Sequence, residues 1–173
     1  MTKAARDVLE DAKYALKRHT DDLQGADFRI SWLAILSLLR AVWHVLEKVD
    51  AESSPEIRRA FLTIKQRTQK PNAPILWNFI KPARDQMVKE FDLGVTRTRF
   101  KVSNLPVPHA FELHIDVGNM RGATVAQLDG VKSVISNGPY AGQSEKQVAR
   151  EAYRWLKSML DEVDRLANEG ASG

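Results

Sequence analysis

Between Phe28 and Val49 the chain reads FRISWLAILSLLRAVWHVLEKV, its most apolar stretch and the one that the rest must pack against. Spaced at about 100° per residue, Ile30, Trp32, Leu33, Ile35, Leu36, Leu38, Leu39, Val42, Trp43, Val45, Leu46 and Val49 fall on nearly every side of a helix, the pattern of a rod buried by neighbours all round. One narrow stripe interrupts it. Ser37, Arg40, His44, Glu47 and Lys48 recur at three- and four-residue steps and share an arc of about 100°. Such a stripe is either a line facing solvent or the edge of a site. Because Arg40 and His44 interrupt the apolar run before it reaches the roughly 18 to 20 residues that a bilayer requires, the stretch is expected to be a core helix.

A chain of 173 residues fits a single domain and can bury most of its apolar surface. The sequence has no cysteine, which removes disulfides, thiolate metal ligands and a cysteine nucleophile together. The opening MTKAARDVLEDAKYALKR is charged throughout and lacks the apolar centre of a signal peptide. Both features lead to the expectation of a cytoplasmic protein with no membrane partner.

Around the central helix the punctuation predicts the remaining elements. A first helix is expected from about Lys3 to Leu23, with Ala5, Val8, Leu9, Ala12, Ala15 and Leu16 on its apolar face and His19 at the border of that face. Gly25 should end it and Asp27 should cap its successor. Ser54 as N-cap and Pro55 at the first helical position open a short helix with Ile57, Ala60, Phe61 and Ile64 inward and Arg58, Arg59, Lys65 and Arg67 outward. The next helix, PILWNFIKPARDQMVKEFDL, carries Leu76, Ile80, Ala83, Met87 and Phe91 on its apolar face, widened by Trp77 and Val88, and Pro82 should kink it or restart it at that point. Projected as a regular helix, Arg84 falls between Phe91 and Trp77, so its guanidinium needs a carboxylate, carbonyls, a phosphate or a route to the rim.

At Gly94 the period changes from helical to alternating. Val95 to Val102 and Phe111 to Val117 read as two strands that would face a basic row (Arg97, Arg99, Lys101) towards an acidic one containing Glu112 and Asp116. A third strand is indicated around Val131 to Ser136, before a turn at Asn137-Gly138-Pro139. Ser144 and Gln147 form a capping box for a last helix to about Ala167. The expected fold is therefore mostly α: an antiparallel bundle of about five helices over 3–93 and 144–168, with a small antiparallel sheet inserted at 94–142.

Charge is unevenly distributed over this plan. Residues 57–101 hold eleven basic and three acidic side chains, a net +8, whereas the remainder holds fifteen basic and nineteen acidic ones, a net −4. The asymmetry points to an anionic partner for the middle of the chain, unless the acidic ends offset it in three dimensions. The candidate binding residues are Arg58, Arg59, Lys65, Arg67, Arg84, Lys89, Arg97, Arg99 and Lys101.

No phosphate-binding GxxxxGK[ST] loop, GxGxxG, GxSxG elbow or HExxH helix occurs, so neither a cofactor nor a resident metal is expected from a motif. Glu112, His114 and Asp116 would project from one strand face, a trio that could bind a divalent metal but is more economically explained as a salt-bridged sheet surface. Arg40 and His44 stand one turn apart, a pairing suited to holding a phosphate and moving a proton. The four tryptophans lie at core spacing.

The long apolar helix followed by FIKPARDQMVKEF resembles the HEPN superfamily of antiparallel helical bundles. Membership would imply a metal-independent ribonuclease, or a partner protein in toxin–antitoxin, phage-defence or CRISPR-linked systems, with two copies meeting in a homodimer. The family motif is an Arg, a polar residue and, after four to six positions, a His. Arg84 and Asp85 match its start, but Lys89 stands where the spacing first allows the His, and no histidine follows before Gly94. The resemblance thus carries Arg84 over as a phosphate contact and leaves the acid–base role unfilled.

Three readings emerge. The first is a non-catalytic bundle that binds RNA, or a protein partner, through the basic centre. The second is a metal-independent ribonuclease with Arg84 or Arg40 at the phosphate and His44 at the proton. The third is an assembly or immunity-type interaction module.

Overall fold

The computed structural model describes residues 1–68, 75–102 and 128–171, with the backbone alone at 99–102, 128–130 and 171. Five helical rods and one two-stranded antiparallel sheet make up the described architecture. Helix α1 spans Lys3–Arg18 and α2 spans Gly25–Val45. A π-helical turn, Leu46–Asp50, extends α2 into the single turn α3, Ala51–Ser53. Helix α4 covers Pro55–Arg67; a second π turn, Leu76–Ile80, leads directly into α5, Lys81–Glu90. Strands β1 (Val95–Val102) and β2 (Leu128–Ile135) precede the long α6, Glu145–Ala171.

The central rod is the hub. Helix α2 packs on α1, α5 and α6, while α4 lies along α6. Trp32, Ile35, Leu36, Leu39, Val42, Trp43 and Leu46 are buried along it, meeting Leu9 and Ala12 of α1, Ile80 before α5, and Leu156, Leu160 and Val163 of α6 in one core cluster. Each fully buried large apolar side chain contributes about 1.5–3 kcal/mol. From Gly25 to Ser53 the rod is long and apolar enough to cross a bilayer by length and composition, contrary to the expectation from its interrupted apolar run. In this fold the bundle covers one side of it, while Ile30 and Val49, expected to be buried with the rest, are exposed.

Several boundaries differ from their expected places. Helix α1 stops at Arg18, before Leu23, and gives way to a turn at Asp21–Asp22. Gly25, at φ +51°, opens α2 instead of closing α1, and Asp27 stands in its first turn without acting as the cap. Ser54 does cap α4: its hydroxyl accepts from the Ile57 amide at 3.3 Å. Pro82 does not break its helix. The wide turn just before it, where the Lys81 amide reaches back five residues to the Leu76 carbonyl, absorbs the lost bond.

Ile80 and Met87 keep the core side that the regular projection gives them. Arg84, at the edge of that arc, sits at the rim with its side chain 38% exposed. Phe91, expected inside, is 74% exposed, because the chain leaves α5 through a left-handed residue at that position, φ 56°.

The alternating segment Val95–Val102 is β1, and its described partner is β2, with Val95 opposite Ile135 and Val102 opposite Leu128. The second expected strand, Phe111 to Val117, lies outside the described residues, as do Glu112, His114 and Asp116. The turn after β2 falls where its Asn-Gly-Pro signal puts it: Gly138 takes φ +77°, and the Gly142 amide closes back on the Ile135 carbonyl at 2.9 Å.

Candidate functional site

The polar stripe of α2 faces α4 and α5. Trp43 anchors the arrangement from the core, edge-on to Phe61 of α4 at 5.1 Å between ring centroids and to Trp77 at 5.3 Å. Trp77, half-buried, in turn carries the Arg40 guanidinium 4.9 Å from its ring centroid. Core packing therefore fixes an indole, and the indole fixes a cation at the surface. Arg40 holds its proton less tightly than an ordinary arginine, first because it is partly buried and second because Arg84 lies close, with Asp85 and Glu47 acting in the opposite sense. One of its terminal nitrogens, Nη1, is buried and has no hydrogen-bond partner.

On α5, Asp85 accepts from Arg84 Nε at 2.9 Å and from Lys81 Nζ at 3.0 Å, and Arg84 Nη2 also contacts it. Those two cations, Arg84 first, hold the Asp85 carboxyl below its ordinary range. On α2, Glu47 pairs with Lys65 of α4 at 2.5 Å, which holds its carboxyl low, with Lys48 and His44 adding to the effect. His44 is exposed, one turn from Arg40. Arg40, Lys81, Arg84 and Lys65 thus outnumber Asp85 and Glu47 in one region, and Arg40 and Arg84 repel each other across it. A phosphate seated there would pair with the accessible part of the Arg40 guanidinium and with Arg84 and relieve that repulsion.

The fold distributes the other candidate cations. Arg59 pairs with Glu56 of its own helix at 3.4 Å, and Arg67 reaches the distant Glu162 of α6 at 3.6 Å, so part of the basic outer face of α4 is offset. Arg58 stays exposed beside a shallow pocket shared with Glu47 and Glu52, and Lys89 is exposed near the end of α5. Arg97 packs on the ring of Phe28 at 3.9 Å and donates to the carbonyls of Leu23 at 2.5 Å and Asp21 at 3.0 Å, tying the hairpin to the α1–α2 turn. The side chains of Arg99 and Lys101 fall outside the described residues.

Two arrangements escaped sequence reasoning. Buried His19 bonds through Nδ1 to the Ser31 hydroxyl at 2.8 Å and stands 3.6 Å from the buried carboxylate of Glu145, under the rings of Phe28 and Trp32. The sequence shows His19 only as a border residue of α1, and Glu145 only as the residue after a capping serine. The other is the pairing of Arg29 with Phe91, 5.5 Å from guanidinium carbon to ring centroid, which joins the start of α2 to the end of α5. No group of three His, Asp or Glu residues suited to a metal ion occurs among the described residues. No protein-family model, curated protein or solved structure matches this chain.

Proposed function

We propose that this protein is a non-catalytic, RNA-binding helical bundle whose phosphate contacts are made by the α2/α5 strip, with Arg40 and Arg84 at its centre. The observation that carries the reading is Arg40: a half-buried cation held against Trp77 and crowded by Arg84. An arginine in that position costs the fold desolvation and like-charge repulsion, and an anion reverses both. Fluorescence anisotropy with labelled single-stranded RNA tests it. Affinity should fall steeply as salt rises, and Arg40→Ala and Arg84→Ala should each weaken binding by about tenfold, the scale of a charge-assisted hydrogen bond. Binding that ignores salt would sink the phosphate-led reading.

A second reading rests on His44, exposed and one turn along the same stripe from Arg40. In a metal-independent ribonuclease the arginines would hold the phosphate and His44 would move the proton. Incubation of labelled RNA in EDTA separates the two. Cleavage that disappears in both His44→Ala and Arg84→Ala would favour the enzyme; intact RNA would leave the binding reading in front.

A further inference from the structure

Phe91 combines three features that core packing does not explain. It is a large aromatic side chain, it is 74% exposed, and it alone among the described non-glycine residues takes a positive φ, at 56°. Glycine is the low-cost residue where a helix exits through the left-handed region, and a side chain there is strained. A ring kept outside the core, at a backbone position that disfavours it, marks a surface that uses the ring.

Its surroundings identify the use. Arg29 lies 5.5 Å from the ring centroid, near the start of α2, where the helix dipole disfavours a cation, and no ion pair engages it among the described residues. Arg29 and Arg40 are eleven residues apart, three helical turns, and so lie on one line of α2 about 16 Å long. Lys81, Arg84, Val88 and Phe91 follow spacings of three, four and three residues on α5, with Val88 itself 61% exposed. The Arg29–Phe91 pair at one end and the Arg40–Trp77 pair at the other bracket Arg84. Trp77 is half-buried between Trp43 and Arg40, whereas Phe91, in contact with Arg29, is still 74% exposed and keeps ring area open to solvent.

We infer that the α2/α5 strip takes single-stranded RNA, one base stacking on Phe91 while the backbone phosphates run over Arg29, Arg84 and Arg40. The inference rests on the RNA reading above and makes it narrower. A base inside a duplex has both faces occupied by its neighbours, whereas an unpaired base offers one to a ring. Cations along the strip supply affinity for any phosphate chain, and the ring supplies the preference for an unpaired one.

The probe is a short fluorescein-labelled oligouridylate, alone and annealed to its complement, followed by anisotropy at low salt. Wild type should prefer the single strand. Phe91→Ala should lose about five- to fiftyfold in affinity for the single strand, the range of base–aromatic stacking, with the duplex unchanged, and Phe91→Trp should retain the preference. Circular dichroism melts confirm that each variant folds. If Arg84→Ala weakens binding but Phe91→Ala does not, the RNA reading stands and stacking on Phe91 is overturned. If wild type binds neither probe, the RNA reading falls and takes this inference with it. Sedimentation supplies a third outcome: a dimer that Phe91→Ala splits, with RNA affinity unchanged, would assign the ring to a contact between copies and overturn the inference.

Discussion

Asp50 shows how one side chain can hold two helices in register. Buried in the π turn that extends α2, it accepts the backbone amides of Ala4 at 3.0 Å and Ala5 at 2.8 Å, so α1 is capped at its start by a carboxylate from another rod. The first amides of a helix have no partner within it, and an acceptor supplied from elsewhere satisfies them and complements the dipole. Thr2, the residue before α1, has no side-chain cap bond to its own helix; its amide and hydroxyl go to Asp164 at 2.7 and 3.1 Å. Asp50→Ala would remove both amide partners in a buried setting and should lower unfolding stability by about 2 kcal/mol, read from the urea midpoint at unchanged slope. A loss no larger than that of an exposed surface change, about 0.5 kcal/mol, would show that water serves the amides equally well. Arg40 is the opposite case: beside Arg84 it has the Trp77 ring and the charges of Asp85 and Glu47 near it but no ion pair among the described residues.

At the level of elements, the strained exit from α5 has a measurable consequence. Phe91 buries little, so replacing it costs little packing, and glycine adopts φ 56° without a clash. Phe91→Gly should therefore leave stability unchanged or raise it by up to about 1 kcal/mol, against the usual direction of a large-to-small change. A loss of about 2 kcal/mol or more would mean that the ring supports the fold. The same element shows where sequence reasoning stops. Periodicity locates α2, α4, α6 and β1 because burial repeats at the helical or strand interval, and Ser54–Pro55 marks a start through local chemistry. The π turns at Leu46–Asp50 and Leu76–Ile80 leave no such trace. Each adds one residue to a turn, which a projection at constant angle does not register; Met87 still reaches the core, while Arg84, at the edge of the projected arc, sits at the rim. The candidate site was half legible: Arg40, His44 and Arg84 stand out as residues, while the approach of Arg40 to Trp77 and Arg84 depends on how two rods are turned toward each other.

Across the whole molecule the issue is how many of the central cations act together. Read linearly, nine basic side chains of the middle segment form one candidate surface, but the fold pairs Arg59 with Glu56, Lys65 with Glu47 and Arg67 with Glu162, and turns Arg97 to backbone carbonyls. Acidic residues from α2 and α6 thus cancel much of an asymmetry that looks decisive along the chain. The α2/α5 strip keeps Arg29, Arg40, Lys81 and Arg84 against Asp85, which amounts to about three phosphates' worth of charge. For a single strand each neutralised phosphate contributes about −0.7 to the slope of log affinity against log salt, so the strip alone predicts a slope near −2. Participation by all nine central cations would bring it to about −6. Anisotropy titrations at several potassium chloride concentrations distinguish these values, and Arg40→Ala should make the shallow slope shallower by about 0.7 while Arg67→Ala leaves it alone. A slope near −6 that Arg40→Ala does not change would move the interface off the strip and onto α4 and the hairpin, because counterion release counts phosphates wherever on the protein they are bound.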